Sequence, residues 1–350
     1  QLKLRAFRSL LVGERMPPLL SRVLGGRRLE EEEMERLSAG VYGCTMCARC
    51  EMVCPARIDL PGLWLSMREE MVDRGIFPQG LSTAREAVET ELNVFGYPSP
   101  ERGTWADFMT EAPDDRYQRE RAQVVYFVGC LTSFSPAVQG IAESVAQLLT
   151  AAEVDFTIMG SEEWCCGFPL IAAGMRERAN QLIAHNVEKV RATGARSMVF
   201  TCPSCFRTWK HYYSPLLPGV EMLHMTQLLT RLLDQGRIRF GEMEMKATYH
   251  DPCDLGRRSG VYEEPRTVIG AVPGLSFVEM DLNRERGRCC GGGGDLEISD
   301  ANLARSVASR TLSAIQRTGA QVALTACPQC KRMLLSALGT GQSGLQIMDI

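Results

Sequence analysis

The hydrophobic pattern changes period as the chain proceeds. Over "LKLRAFRSLLVGERM" (2–16) and "LEEEEMERLSAG" (29–40) apolar residues recur every three or four positions, the spacing of one face of an α-helix. Residues 1–90 are therefore predicted to be mainly helical. The first stretch is also basic; a helix lying on a membrane surface fits it, but a helix packed on its own domain fits better. Residues 91–122 lose the periodicity and are rich in Pro, Gly and charge, which predicts a linker or a partly ordered arm.

Beyond residue 122 short apolar runs alternate with helical patterns. "AQVVYFVGC" (122–130), "VDFTIMG" (154–160) and "SMVFTC" (197–202) read as strands, with helices predicted over "VQGIAESVAQLLTAA" and "RERANQLIAHNVEKVRATG". The order then repeats with "MKATYHDPC" (245–253), "LSFVEMD" (275–281), a helix running to about Thr318, and "AQVALTACPQC" (320–330). Such βαβ alternation predicts a mostly parallel sheet covered by helices. The repeat is measurable: Cys253 lies 123 residues after Cys130, Cys289 lies 124 after Cys165, and Cys327 and Cys330 lie 125 after Cys202 and Cys205. Two similar α/β domains follow, over 123–245 and 246–350.

Composition narrows the function. The 350 residues suit two or three domains with a sizeable core, 45% of them hydrophobic and 23% charged. A net charge of −3 lacks the basic footprint of a nucleic-acid binder, and no apolar run approaches the roughly 18–20 residues of a membrane span. The chain opens on Gln1 rather than Met, and part of its natural N-terminus is expected to be missing; its C-terminal "LQIMDI" is strand-like or opens a helix.

Fourteen cysteines dominate the chemistry. They fall in C-x2-C and adjacent pairs in a large chain without an export signal, which favours metal ligation over disulfides. "CTMCARCEMVCP" (44–55) is a ferredoxin-type run of Cys44, Cys47, Cys50 and Cys54 for a cubane [4Fe–4S] cluster; the fourth cysteine of such a run normally serves a second cluster. Cys54 is accordingly assigned to the cluster of a second run, expected upstream of Gln1.

Each repeat adds a lone cysteine, a pair, and a C-x2-C: Cys130, Cys165, Cys166, Cys202 and Cys205, then Cys253, Cys289, Cys290, Cys327 and Cys330. Cys130, Cys202, Cys253 and Cys327 follow predicted strands, at the sheet edge where α/β proteins bind ligands. Five thiols exceed the four that zinc or a cubane takes. An unusual polynuclear iron–sulfur cluster, or four ligands and a reactive thiol, would use them. Gly167, Gly291 and Gly292 follow the pairs and would let backbone approach a bulky inorganic group and offer it N–H donors; a flexible loop is the plain alternative.

The doubled C-x(34–35)-C-C-x(35–36)-C-x2-C pattern resembles the CCG domain pair of the heterodisulfide reductase family. With the ferredoxin run ahead of it, the chain resembles the D-type subunit, in which C- and B-type subunits are fused. The resemblance implies a helical ferredoxin-type domain (1–90) followed by two Rossmann-like CCG domains. It also implies two non-cubane [4Fe–4S] clusters, each on one five-cysteine set, that reduce a small-molecule or protein disulfide, or a related sulfur bond such as a trisulfide, between them. A flavoprotein or a quinone/haem subunit would supply electrons within a hetero-oligomeric complex, in the cytoplasm or on the cytoplasmic face of a membrane. The chain departs from the family in carrying one ferredoxin run rather than two.

Other readings stay open. His250 and Asp251 are proton-donor candidates beside Cys253, or turn and capping residues; Trp164 fits packing better than electron transfer. The subunit could relay electrons without disulfide chemistry, or scaffold zinc, which the fifth thiol disfavours. "CCGGGGDLEIS" is no dinucleotide fingerprint.

Overall fold

A computed structural model describes residues 2–24, 26, 30–339 and 344–350. Gln1, Leu29 at the start of the second predicted helical stretch, and residues 340–343 lie outside the described residues.

The N-terminal region is helical, with its longer helices at Leu2–Arg15, Glu31–Tyr42, Leu60–Asp73 and Gln79–Glu91. Glu31–Tyr42 begins with a capping box between Glu30 and Glu33, and acidic residues fill its first turn, where they complement the helix dipole. It buries Met34, Leu37, Val41 and Tyr42. Leu60–Asp73 starts at Asp59, which accepts from the Gly62 N–H at 2.8 Å, and buries Met67, Arg68 and Met71. These faces pack on Leu170 and Ile171 of the first repeat.

Each repeat forms a four-stranded parallel sheet. In the first, β1 (Val124–Phe127), β2 (Phe156–Thr157), β3 (Ser197–Phe200) and β4 (Glu221–His224) lie in the order β2-β1-β3-β4. In the second, β5 (Lys246–His250), β6 (Ser276–Val278), β7 (Val322–Thr325) and β8 (Gln346–Asp349) lie in the order β6-β5-β7-β8. Register repeats as well: Phe127 pairs with Phe200, and His250 with Thr325. β4 escaped the sequence reading because "EMLH" is short and lies between two polar turns; β8 is the strand-like C-terminal run.

The sheets share one core, in which Phe127, Phe200, Trp209 and Tyr213 meet Tyr249, Leu255 and Ile269. The stretch 91–122 is not an arm. Ser99–Phe108 is a 3-10 helix that buries Trp105 completely, and Trp105 stacks on Tyr117, which stacks on Phe156 of β2. Its aromatic residues find an apolar surface that Pro, Gly and charge content conceals; burying each one contributes about 1.5–3 kcal/mol.

Candidate metal centre

Both five-thiol sets form where strand order reverses. β1 is flanked by β2 and β3, so chains leaving β1 and β3 diverge to opposite faces and open a crevice. Cys130 begins the short helix Cys130–Phe134 after β1, Cys202 follows β3, and Cys205 sits in the first turn of Pro203–Thr208. Cys165 and Cys166 come from the loop after β2, where the Cys165 N–H donates to the Leu92 carbonyl at 2.8 Å. The second repeat does the same with Cys253 beyond β5, the pair Cys289–Cys290, and Cys327 and Cys330 at the start of Pro328–Leu338.

Within each set the thiols crowd one another: Cys165 acts on Cys130 and Cys166, and Cys205 on Cys166 and Cys202. Cys289 acts on Cys253 and Cys290, and Cys330 on Cys290 and Cys327, with Cys330 Sγ donating to Cys290 Sγ at 3.1 Å. Their neighbours hold the Cys166 thiol down to about 6 and the Cys290 thiol to about 5. Cys205 and Cys330 are pushed well up by the adjacent sulfurs and by burial. All fourteen cysteines are free. Thiols crowded in this way cannot all ionise beside one another, and a cation would remove their protons. The all-sulfur donor set suits iron–sulfur clusters or zinc, and five thiols per set exceed what zinc uses. The residues therefore fit an iron–sulfur group.

The two sets differ in their surroundings. Beside the first, Arg102 donates to Cys130 Sγ at 3.5 Å and pairs with Glu163 at 2.9 Å, both side chains 1% exposed. Glu163 also accepts from the Val128 and Gly129 N–H groups at 2.8 Å. Burial pushes its carboxyl up to about 7 against the pull of Arg102. Beside the second, the ring of His250 lies within 4.8 Å of the Cys290 and Cys330 sulfurs, its Nε2 unpartnered among the described residues. Phe127 holds the equivalent position in the first repeat. Asp251 faces elsewhere, accepting from Arg266 through both oxygens at 2.9 Å and from the Arg284 N–H at 2.8 Å. Trp164 stacks on His185 with ring centres 3.5 Å apart.

Glycine is required at Gly167 and Gly291 by left-handed backbone, with φ of 84° and 91°. A Cβ on Gly291 would strike the Ala304 carbonyl, and one on Gly292 the Gln329 side chain. The Gly291 N–H donates to Cys289 Sγ at 3.4 Å.

The ferredoxin run lies against the second set. Met46 and Ala48 turn it through left-handed backbone at φ 54° and 61°, a cost of roughly 1–2 kcal/mol each. The Cys47 thiol lies against that of Cys289, each shifting the other, and Arg257 donates to the Cys47 carbonyl at 2.8 Å. Gly293 and Gly294 abut the backbone of Thr45 and Cys44 so closely that side chains would clash. Cys50 is exposed and Cys54 half-buried. Arg68, fully buried, clamps the junction: it donates to the carbonyls of Cys44, Gly294 and Ala172 at 2.7–2.8 Å and to those of Val41 and Tyr42 at 3.3–3.5 Å. No motif marks Arg68, Arg102, Glu163 or Arg257; each is a lone charge whose role depends on burial.

A cavity of about 250 Å3 opens on the first set, touching all five of its cysteines, and reaches Gly292, Asp295 and Gln329 of the second repeat. A larger cleft of about 610 Å3 between Glu31–Tyr42 and Ser299–Asp300 contains no cysteine.

The cysteine-rich CCG domain family matches this chain twice, over residues 124–210 and 247–335. The D-type subunit of the dihydromethanophenazine:CoB–CoM heterodisulfide reductase of Methanosarcina acetivorans is 34% identical over 340 residues, which is 95% of this chain and 81% of that one. The EtfAB:quinone oxidoreductase of Syntrophomonas wolfei is 26% identical over 87% of this chain and 44% of its own length. The B-type subunit of the CoM/CoB fumarate reductase of Methanothermobacter marburgensis is 27% identical over 91% and 63%. Two tandem copies of the cysteine-rich domain behind a helical cysteine run, alike over nearly the whole chain, place the protein in the family of D-type heterodisulfide reductase subunits, the iron–sulfur oxidoreductase subunits with paired CCG domains.

Proposed function

We propose that this subunit accepts electrons at its ferredoxin run and reduces a disulfide beside its five-cysteine sets. Cys44, Cys47 and Cys50 would hold three corners of a cubane cluster, and Cys54 would serve a second run. Cys130, Cys165, Cys166, Cys202 and Cys205, and Cys253, Cys289, Cys290, Cys327 and Cys330, would each hold a non-cubane [4Fe–4S] cluster. Bound iron–sulfur clusters supply single electrons in succession, which suits the stepwise cleavage of a sulfur–sulfur bond. The residues around them do the rest. Arg102 and the Gly291 N–H place positive dipoles against sulfur, and such contacts raise a site's affinity for electrons. Arg68 and Arg257 hold the ferredoxin run on the second set.

The observation that carries the reading is the juxtaposition of two intact five-thiol sets with different neighbours. The second meets the ferredoxin run through Cys47 and Cys289, and the first opens on the cavity. A flavoprotein, or a membrane quinone or haem subunit with the chain docked on its cytoplasmic face, would act as donor; no described helix is long and apolar enough to cross a membrane. Anaerobically purified protein, reduced by an artificial donor and offered small and protein disulfides, is expected to release thiols in steady state. Stoichiometric zinc with no iron would overturn the assignment.

The likeness to EtfAB:quinone oxidoreductase and to the CoM/CoB fumarate reductase favours a second reading, in which the chain relays electrons between partners. Intact clusters that a partner reoxidises, with no thiol released from any disulfide, would select it.

A further inference from the structure

One wall of the cavity beside the first cysteine set carries a carboxyl that the proposed ligands leave unexplained. Asp295 reaches the cavity from the second repeat, five residues beyond Cys290. It is 7% exposed, and its Oδ2 has no hydrogen-bond partner among the described residues. A buried carboxylate oxygen in that state is costly unless the group is protonated or meets a ligand. Arg68 is the cation that acts on it, but the terminal nitrogens of Arg68 are directed at carbonyls, and no ion pair between the two occurs among the described residues. Burial, opposed by Arg68, pushes the Asp295 carboxyl up to about 7, so near neutrality it retains its proton in a substantial share of molecules. Its backbone is left-handed, at φ 56°.

We propose that Asp295 is the proton donor to a thiolate released when a disulfide is cleaved at the end of this cavity walled by the second repeat, beyond the part that a cluster on the five cysteines would fill, an inference that rests on the disulfide-reductase reading above. The sulfur–sulfur bond breaks as two electrons arrive from a reduced flavoprotein or quinol partner, leaving two thiolates. One takes the proton of Asp295 and the other a proton from water, and Asp295 is reprotonated from bulk solvent. Disulfide, two electrons and two protons thus give two thiols. Neither Asp251 nor His250 fills this role: both oxygens of Asp251 are occupied by Arg266, and His250 does not line the cavity.

The test uses the full iron-loaded chain and Asp295→Asn, which keeps the shape and removes the acidic proton. The variant is expected to retain iron content and cluster EPR signals, and to release thiol about 100-fold more slowly, within the range for loss of a general acid. Asp295→Glu is expected to recover part of the rate. In the wild type, infrared difference spectra on adding disulfide are expected to show a protonated-carboxyl band that responds, and that Asp295→Asn lacks. If the wild type releases no thiol although its clusters are intact, the disulfide reading itself fails. If the wild type turns over and Asp295→Asn matches it, only the assignment of Asp295 fails. Lower resistance to urea with an unchanged release rate would make Asp295 merely an electrostatic partner of Arg68, and would overturn the proposal. Should the variant not fold, a wild-type spectrum without a responding carboxyl band overturns it equally.

Discussion

At the scale of single residues, the two cysteine sets are made alike by their thiols and unlike by one neighbour each. Arg102 and Glu163 form a buried pair at the first set. Removing one partner of such a pair leaves an uncompensated buried charge, at about 3–5 kcal/mol. Arg102→Met should therefore lower resistance to urea by that amount, whereas the double replacement Arg102→Met/Glu163→Gln should recover part of it. His250 lies beside the second set, and Phe127 holds the equivalent position in the first repeat. A polar imidazole ring beside the sulfurs, in place of an apolar phenyl ring, stabilises the more negative, reduced state. His250→Phe is expected to lower the reduction potential of one cluster signal and leave the other in place, with iron content unchanged. Equal movement of both signals would contradict a local effect of His250. The gathering of these ten thiols into two sets was legible in the sequence, because repeat spacing and strand ends locate them. Arg102 was not: it lies in a stretch whose Pro and Gly content reads as linker, and nothing in one sequence tells a buried arginine from a solvated one.

At the scale of elements, the junction between the ferredoxin run and the repeats depends on close backbone approach. Gly293 and Gly294 admit the run, and Arg68 from Leu60–Asp73 joins carbonyls from the run, the first repeat and the second. Each carbonyl left unsatisfied by its loss costs about 1–3 kcal/mol. Arg68→Leu should thus destabilise by at least about 3 kcal/mol and speed protease cleavage of the N-terminal region before that of the repeats. Simultaneous cleavage throughout would show that Arg68 stabilises the molecule as a whole rather than this junction. The helices and most strands were legible from periodicity, since each buries a regular apolar face. The docking of the run was not, because it is encoded in backbone carbonyls and glycines rather than in an apolar pattern.

At the scale of the whole molecule, the repeat does not give two equivalent halves. One cysteine set meets the ferredoxin run and the other opens on a cavity, so under the proposed function the sheets, similar in order and register, would serve as a donor side and a substrate side. That asymmetry arises from where the N-terminal helices sit, which no spacing of cysteines reports. The most direct test mixes reduced, iron-loaded protein with one equivalent of disulfide and freezes samples over time. EPR signals from the cysteine sets are expected to change in the same interval in which thiol appears, with two thiols formed for two electrons lost. Unchanged signals with no thiol, or thiol formed while every signal stays constant, would contradict the proposed function.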